Sequence, residues 1–140
     1  MGEFGQHLTI DASSCDGEKL TDQSYIYDIL DSLPAKLNMH KMSLPHVVKW
    51  LDPGAKVPGI SGFVMIAESH ISVHTFPEKD YVFIDVFSCK SFDVEMALKL
   101  LVRAFGAKKY TKNVVMRGED FPRWDPTHMY APSEEKLVTQ

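Results

Sequence analysis

The residues most capable of chemistry are concentrated in one short stretch in the middle of the chain. At its centre Ser69 lies between Glu68 and His70. A second histidine, His74, and a cysteine, Cys89, follow within the same stretch. Carboxylate, hydroxyl, imidazole and thiol groups are the side chains that enzymes use for proton transfer and nucleophilic attack. The stretch therefore predicts an active site, provided that folding brings these groups together.

The spacing of the two histidines argues against a metal site. Residues 70–76 alternate in a way typical of a strand, which places His70, Ser72 and His74 on one face. The opposite, core-facing set is Ile71, Val73 and Thr75. His70 and His74 are then about 13 Å apart, too far to share one ion. Because no CxxC or HExxH spacing is present either, the sequence predicts no metal.

A hairpin after this strand would return the chain towards its start. The returning strand ends at Cys89, so Ser69, His74 and Cys89 are expected around one pocket. The residues alone leave a second interpretation open, an ordinary hairpin with a polar outer face. A single cysteine in a strand is more often a small buried hydrophobe, and Cys15 is interpreted in that way.

Two helices are predicted to support these strands. Apolar residues at spacings of three and four predict a first helix with a stop at or just before Pro34, its start capped by Thr21, Asp22 or Ser24. A second helix begins after Ser91 or Asp93 and carries a long apolar stripe. Gly106 suits the left-handed position after its last turn.

Six strands are predicted around the helices. Residues 7–10, 60–67, 70–76, 81–88 and 110–116 have strand character, as does a run at Val47 and Val48 that Pro45 assigns to a sheet edge. The order favours an α+β fold: a two-layer sandwich of a mostly antiparallel sheet with two helices on one face. Residues 1–140 are expected to form a single domain that ends in an irregular tail from about residue 118.

Composition excludes several classes of protein. The net charge of −4 and dispersed lysines and arginines argue against a nucleic-acid partner. No apolar run approaches the length of a membrane span, and the N-terminus has no signal-peptide pattern, so we expect no membrane association and a cytoplasmic location. The two cysteines are expected to be free thiols.

Three motifs resemble one known family. The segments GISG, ESHISVHTFPE and DVFSC, with their spacings, closely resemble those of the prokaryotic S-adenosylmethionine decarboxylases. The resemblance extends from FGQH near the start to the second helix. It implies an enzyme, a carboxy-lyase that decarboxylates S-adenosylmethionine for spermidine (polyamine) biosynthesis.

The resemblance also implies that the cofactor comes from the chain itself. Members of the family are zymogens that cleave themselves, here between Glu68 and Ser69, and the two fragments remain partners. Ser69 becomes a pyruvoyl group, whose carbonyl forms a Schiff base with the substrate amine and takes the place of pyridoxal phosphate. By the same resemblance His74 is the proton acceptor in processing, Ser61 assists processing, and Cys89 is the proton donor in catalysis.

The substrate contacts follow from the resemblance as well. Glu78 resembles the glutamate that binds the ribose, while Phe4 and Trp50 are expected to supply aromatic contacts to the adenine or the sulfonium. The family's sites lie at the interface of a homodimer, so we expect the loop around Trp50 to reach the partner's pyruvoyl.

Three departures from the family pattern concern the substrate pocket. Phe76 stands where tryptophan is commoner, Lys90 stands where glycine usually follows the catalytic cysteine, and residues 51–57 do not match the family's loop. Relatives that decarboxylate arginine or ornithine with the same pyruvoyl group are therefore an alternative. A non-cleaving binding homologue is a second alternative.

Overall fold

The computed structural model describes residues 5–122, which form six strands, three α-helices and one 3₁₀ turn. Phe4 and the tail after residue 122 lie outside the described residues. In chain order the elements are β1 (Gly5–Ser13), α1 (Gly17–Thr21), α2 (Gln23–Lys36), β2 (His46–Trp50), β3 (Gly59–Ile66), β4 (Ser69–Phe76), the 3₁₀ turn (Pro77–Lys79), β5 (Tyr81–Ser88), α3 (Val94–Ala104) and β6 (Lys109–Arg117).

The strands form one antiparallel sheet in the order β2-β3-β4-β5-β1-β6. The predicted α+β sandwich is confirmed, and β2 lies at the edge as Pro45 indicated. β3, β4 and β5 form two consecutive hairpins, so the residues around Ser69 and those around His74 lie in the middle of the sheet, at opposite ends of β4.

In β1, β3, β4 and β5, alternate residues enter a core between the sheet and the helices. Removing these side chains from water contributes about 1.5–3 kcal/mol for each large one. The fully buried members include Leu8, Ile10, Val64, Ile71, Ile84 and Val86 from the strands and Leu20, Ile26, Leu30, Leu101 and Phe105 from or beside the helices. The alternating residues point to the other face of the sheet, which no helix covers among the described residues. This face is called the open face below.

The prediction of two helices was incomplete. α1 is an additional short helix, whose N-cap Asp16 accepts a hydrogen bond from Glu18 N–H at 3.0 Å. The sequence SSCDG at residues 13–17 predicts only a turn, because serine, aspartate and glycine serve both turns and helix caps. Leu20 anchors this helix in the core.

The predicted stop of the first long helix was also wrong. α2 continues through Pro34 to Lys36. Proline removes one intrahelical hydrogen bond, but burial of Leu33 and Pro34 and the bond from Leu37 N–H to the Leu33 carbonyl at 3.2 Å maintain the last turn. Of the proposed caps, Asp22 accepts from Tyr25 N–H at 3.0 Å.

The second predicted helix is α3, and both of its signals are confirmed. Asp93 caps its start by accepting from Met96 N–H at 2.9 Å. Gly106 follows its end with a φ of +61°, a left-handed conformation that glycine adopts without strain.

Candidate active site

The connection between β3 and β4 has an unusual backbone. It consists of Ala67 and Glu68, but neither has the positive φ typical of two-residue hairpin turns. Instead Ser69, the first residue of β4, has a φ of +154°. A residue with a side chain held in such a sparsely populated region stores on the order of 1–3 kcal/mol. The peptide bond between Glu68 and Ser69 therefore borders a strained residue.

Cys89 lies beside this peptide bond. Its backbone N–H donates to the carbonyl oxygen of Glu68 at 2.7 Å, and Ser69 pairs with Ser88 across the β4–β5 ladder. The Cys89 thiol is free and half-buried. Glu68, Ser69 and Cys89 form what we call the first half-site.

A glycine allows another strand to approach this half-site. A Cβ on Gly5 would lie 2.2 Å from the Ser88 carbonyl oxygen and 2.8 Å from Cys89 Cα. Only glycine fits without displacing backbone at this point. β1 thus supports the end of β5 on which Cys89 is held.

The side chain of Glu68 is buried, with an exposed fraction of 2%. It accepts from the His40 backbone N–H at 3.0 Å and from its ring Nδ1 at 2.8 Å, and Lys90 Nζ lies 3.9 Å away. Burial acts to raise the pKa of this carboxyl, but the hydrogen bonds from His40 outweigh it and hold the pKa below its usual value. Glu68 is therefore held as a carboxylate.

A second cluster lies at the other end of β4. Ser61 and His74 face each other across the β3–β4 ladder, and Ser61 Oγ is 2.8 Å from His74 Nδ1. A serine bound to one ring nitrogen fixes the orientation of the imidazole. The other nitrogen, Nε2, is then available to exchange a proton.

The cavity beside this pair has a volume of about 480 Å³ and includes Trp50, Phe76 and Glu78 in its lining. Glu78 accepts from the backbone N–H groups of Lys56 and Val57 at 3.0 and 3.4 Å, which ties the loop after β2 to the cavity. Trp50 is 65% exposed, so its ring can stack on a ligand. Ser61, His74, Glu78 and Trp50 form what we call the second half-site.

The structure does not bring Ser69, His74 and Cys89 around one pocket within the chain. Ser69 and His74 occupy opposite parts of β4, five residues apart, which is about 16 Å at roughly 3.3 Å per residue. Cys89 lies with Ser69. The expectation of a single three-residue pocket in one chain was wrong, because a strand separates residues that the sequence places close together.

Between the half-sites, the open face carries a polar pair and many apolar side chains. His7 Nε2 is 3.0 Å from Asp85 Oδ1, and His70 packs edge-on against Phe87 with ring centroids 5.7 Å apart. Burial and the neighbouring His7 lower the pKa of His70, so this ring is neutral near pH 7. The exposed apolar side chains of this face include Val48, Phe63, Met65, Phe76, Phe83 and Val115.

Other chemical possibilities have no support in the described part of the chain. Residues 5–122 contain no group of three or more histidine, cysteine, aspartate or glutamate side chains placed to hold a metal ion. No helix within them is long and apolar enough to cross a membrane.

Cys15 is a buried free thiol whose pKa is raised to about 11 by burial and by Asp80. It makes a poor nucleophile.

Sequence reasoning missed two residues that contact the Glu68 side chain of the first half-site. His40 precedes β2 and had no motif to mark it, yet it makes both close hydrogen bonds to the Glu68 side chain. In the sequence, Lys90 stands out only as a departure from the family pattern after Cys89. Its position near the Glu68 carboxylate depends on the β4–β5 register.

Comparisons with a protein-family model, with individual relatives and with a solved structure all point to the same family. The family model described as S-adenosylmethionine decarboxylase matches residues 6–118. The S-adenosylmethionine decarboxylase proenzyme of Pyrococcus furiosus is 34% identical over 138 residues, covering 98% of this chain and 95% of the relative. That of Clostridium kluyveri is 31% identical over 121 residues, covering 84% and 90%. The crystal structure of the Aquifex aeolicus adenosylmethionine decarboxylase matches with a TM-score of 0.74 and 26% identity, covering 89% of this chain and 99% of that one.

Proposed function

The chain belongs to the S-adenosylmethionine decarboxylase family, a family of carboxy-lyases, and we propose that it decarboxylates S-adenosylmethionine with a pyruvoyl group made from Ser69. The product would be an aminopropyl donor for spermidine synthesis. The observation that carries the proposal is the hydrogen bond of 2.7 Å from Cys89 N–H to the Glu68 carbonyl. This bond places the Glu68 carbonyl, which Ser69 would attack during cleavage, next to Cys89, which would act later on the substrate.

The geometry of the first half-site suits self-cleavage. Attack by Ser69 Oγ on the Glu68 carbonyl would put negative charge on the carbonyl oxygen, where the Cys89 N–H already points. The positive φ of Ser69 raises the energy of the uncleaved chain and is relieved when the bond breaks. Both features favour cleavage between Glu68 and Ser69.

The pyruvoyl group fits this position because Cys89 follows Ser88, the strand partner of Ser69, and its N–H donates to the Glu68 carbonyl. Once made, the group supplies an electrophilic carbonyl that binds the substrate amine and accepts the electrons left by CO₂. Cys89 returns a proton to the substrate carbon. Its half-buried position allows the thiol to reach a bound substrate while limiting access of water.

The second half-site would act on the first half-site of a partner chain. By resemblance to the family, His74 and Ser61 would act in processing and Glu78 would bind the ribose, and Trp50 would supply an aromatic contact. His74, however, lies about 16 Å from Ser69 in its own chain. A two-fold axis between two facing sheets, perpendicular to the strands, would place each second half-site opposite the partner's first half-site. We propose this homodimer, with His74 and Ser61 serving the partner's cleavage.

The open face has the composition that such a dimer needs. Its exposed valine, phenylalanine and methionine side chains form an apolar surface larger than isolated surface residues would give. Burial against a second copy would cover it. The same contact would close the 480 Å³ cavity on one side and exclude water from the substrate.

The substrate would lie in the cavity of the second half-site. Glu78 can accept hydrogen bonds from the ribose hydroxyls, and the exposed ring of Trp50 offers a face for the adenine or the sulfonium cation. The loop that Glu78 holds through Lys56 and Val57 would form one wall.

Mass spectrometry of the purified protein tests this function. After borohydride reduction with S-adenosylmethionine, a trapped adduct on the fragment that starts at residue 69 is expected, together with release of CO₂. Arginine and ornithine are offered in parallel. CO₂ release from only one of these would show that it, and not S-adenosylmethionine, is the substrate. A full-length uncut chain after prolonged incubation would overturn the proposal in favour of a binding protein.

A further inference from the structure

The cleavage site has a charged support that the family comparison does not assign. The Glu68 carboxylate is buried and is met by His40 from two directions and by Lys90 from a third. We propose that His40 is a positioning residue for self-cleavage, which fixes the carbonyl that is attacked, and that Lys90 stabilises the carboxylate that cleavage creates. This inference rests on the proposed cleavage between Glu68 and Ser69.

His40 holds both residues of the β3–β4 turn. Its carbonyl accepts from Ala67 N–H at 2.8 Å, while its own N–H and ring nitrogen bind the Glu68 side chain. Because the turn has only these two residues, fixing the N–H of Ala67 and the side chain of Glu68 leaves the Glu68 carbonyl little freedom to move. The carbonyl thereby stays on the Cys89 N–H, ready for attack.

The neighbours of His40 strengthen this support. Lys41 forms an isolated bridge with Ile66, and Met42 N–H donates to the Met65 carbonyl at 2.9 Å. The segment from His40 to Met42 therefore runs beside the end of β3 as a short extra strand. The position of this segment is fixed by backbone bonds and does not depend on the Glu68 contact alone.

Cleavage changes the charge at this point. The Ser69 Oγ forms an ester with the Glu68 carbonyl carbon as the peptide C–N bond breaks. A base then removes the residue 69 α-proton, and the Oγ–Cβ bond breaks with its electrons leaving on the new Glu68 carboxylate. The remaining dehydroalanine takes up water and releases ammonia, giving the pyruvoyl group. Glu68 thus changes from one carboxylate to two on the same residue.

Two like charges on one largely buried residue need a cation. Lys90 immediately follows Cys89, whose N–H binds the oxygen that becomes part of the new carboxylate. Its Nζ is already 3.9 Å from the Glu68 side chain, but at 69% exposed it contributes little before cleavage. After cleavage it faces a doubled charge, so its contribution should appear mainly in the processed protein.

The first experiment measures the rate of self-cleavage of full-length chains pulse-labelled by cell-free translation. H40A should cleave about tenfold more slowly or worse, since a charge-assisted hydrogen bond to the side chain is lost. H40N keeps an N–H donor near the position of Nδ1 and should recover most of the rate. In H40A the loss of rate on acidification should also begin at a higher pH, because without the ring the pKa of Glu68 is lowered less.

The second experiment compares melting temperatures. K90A is measured in uncleaved S69A protein and in the cleaved protein. The matched control is K36A, because Lys36 lines, with Glu68 and Lys90, a separate cavity of about 390 Å³. The shift caused by K90A should be small in the uncleaved chain and clearly larger in the cleaved one. K36A should give equal shifts in both.

The outcomes separate this inference from the function on which it rests. If the unaltered chain never cleaves, the proposed function fails. If it cleaves and H40A keeps the parent rate within about twofold, or H40N is as slow as H40A, the role of His40 is wrong. If K90A shifts both forms equally, the role of Lys90 is wrong.

Discussion

Mixing two inactive variants should restore activity if the half-sites work in trans. C89A removes the proposed catalytic acid from the first half-site, and E78A removes the proposed ribose contact from the second. Each homodimer then has two damaged sites and should be far less active than the unaltered protein. In a mixed dimer, the intact Cys89 of one chain meets the intact Glu78 of the other, so one of the two sites is complete.

The size of the recovery follows from the symmetry. Each mixed dimer has one working site of two, so a preparation that contains only mixed dimers should reach about one half of the unaltered activity per chain. The reasoning depends on the distance of about 16 Å along β4 between Ser69 and His74. That distance prevents the two half-sites of one chain from meeting.

The assay is CO₂ release from S-adenosylmethionine by co-expressed variants carrying different affinity tags, purified through both tags in sequence. The matched control pairs C89A with S69A. Both changes affect the first half-site, so no mixed dimer has a complete site and no recovery is expected. Activity equal to the mean of the two parent variants in the C89A and E78A mixture would refute assembly in trans, as would a monomer in sedimentation analysis.

Three further predictions concern the support of the first half-site. G5A should lower stability by about 1–3 kcal/mol, because its Cβ would lie 2.2 Å from a backbone oxygen of β5, and thermal unfolding measures this. Iodoacetamide should modify the half-buried Cys89 well before Cys15, because Cys15 is buried and its pKa is raised to about 11. Peptide mass spectrometry identifies the modified cysteine. Equal labelling of both cysteines would contradict the difference in burial between them. The folded-state pKa of Glu68 is lowered, so its carboxylate should contribute stability that is complete above the pKa of the unfolded chain and is lost as pH falls through the folded value. In an uncleaved S69A background, E68Q should remove that part of the acid transition, and an unchanged pH profile of unfolding would contradict it.

Local pattern was enough to predict most of the architecture. The alternation along residues 70–76 placed His74 opposite the core, and the apolar stripe with Asp93 and Gly106 defined α3, because each signal depends only on neighbouring residues. The prediction failed at α1 and at Pro34. There, burial in the tertiary core outweighed the turn signal and the helix-stop signal.

For the candidate active site, too, the sequence determined one part and the tertiary structure another. The sequence determined which groups are present and, through the motifs around Ser69, the family to which they belong. Only the tertiary structure decided which of them meet: strand register placed Ser61 on His74 and carried both away from Ser69, while the carbonyl of Glu68 came to lie on the Cys89 N–H. Register and chain reversal depend on contacts between distant residues. They are therefore fixed by packing of the whole sheet and not by spacing along the chain.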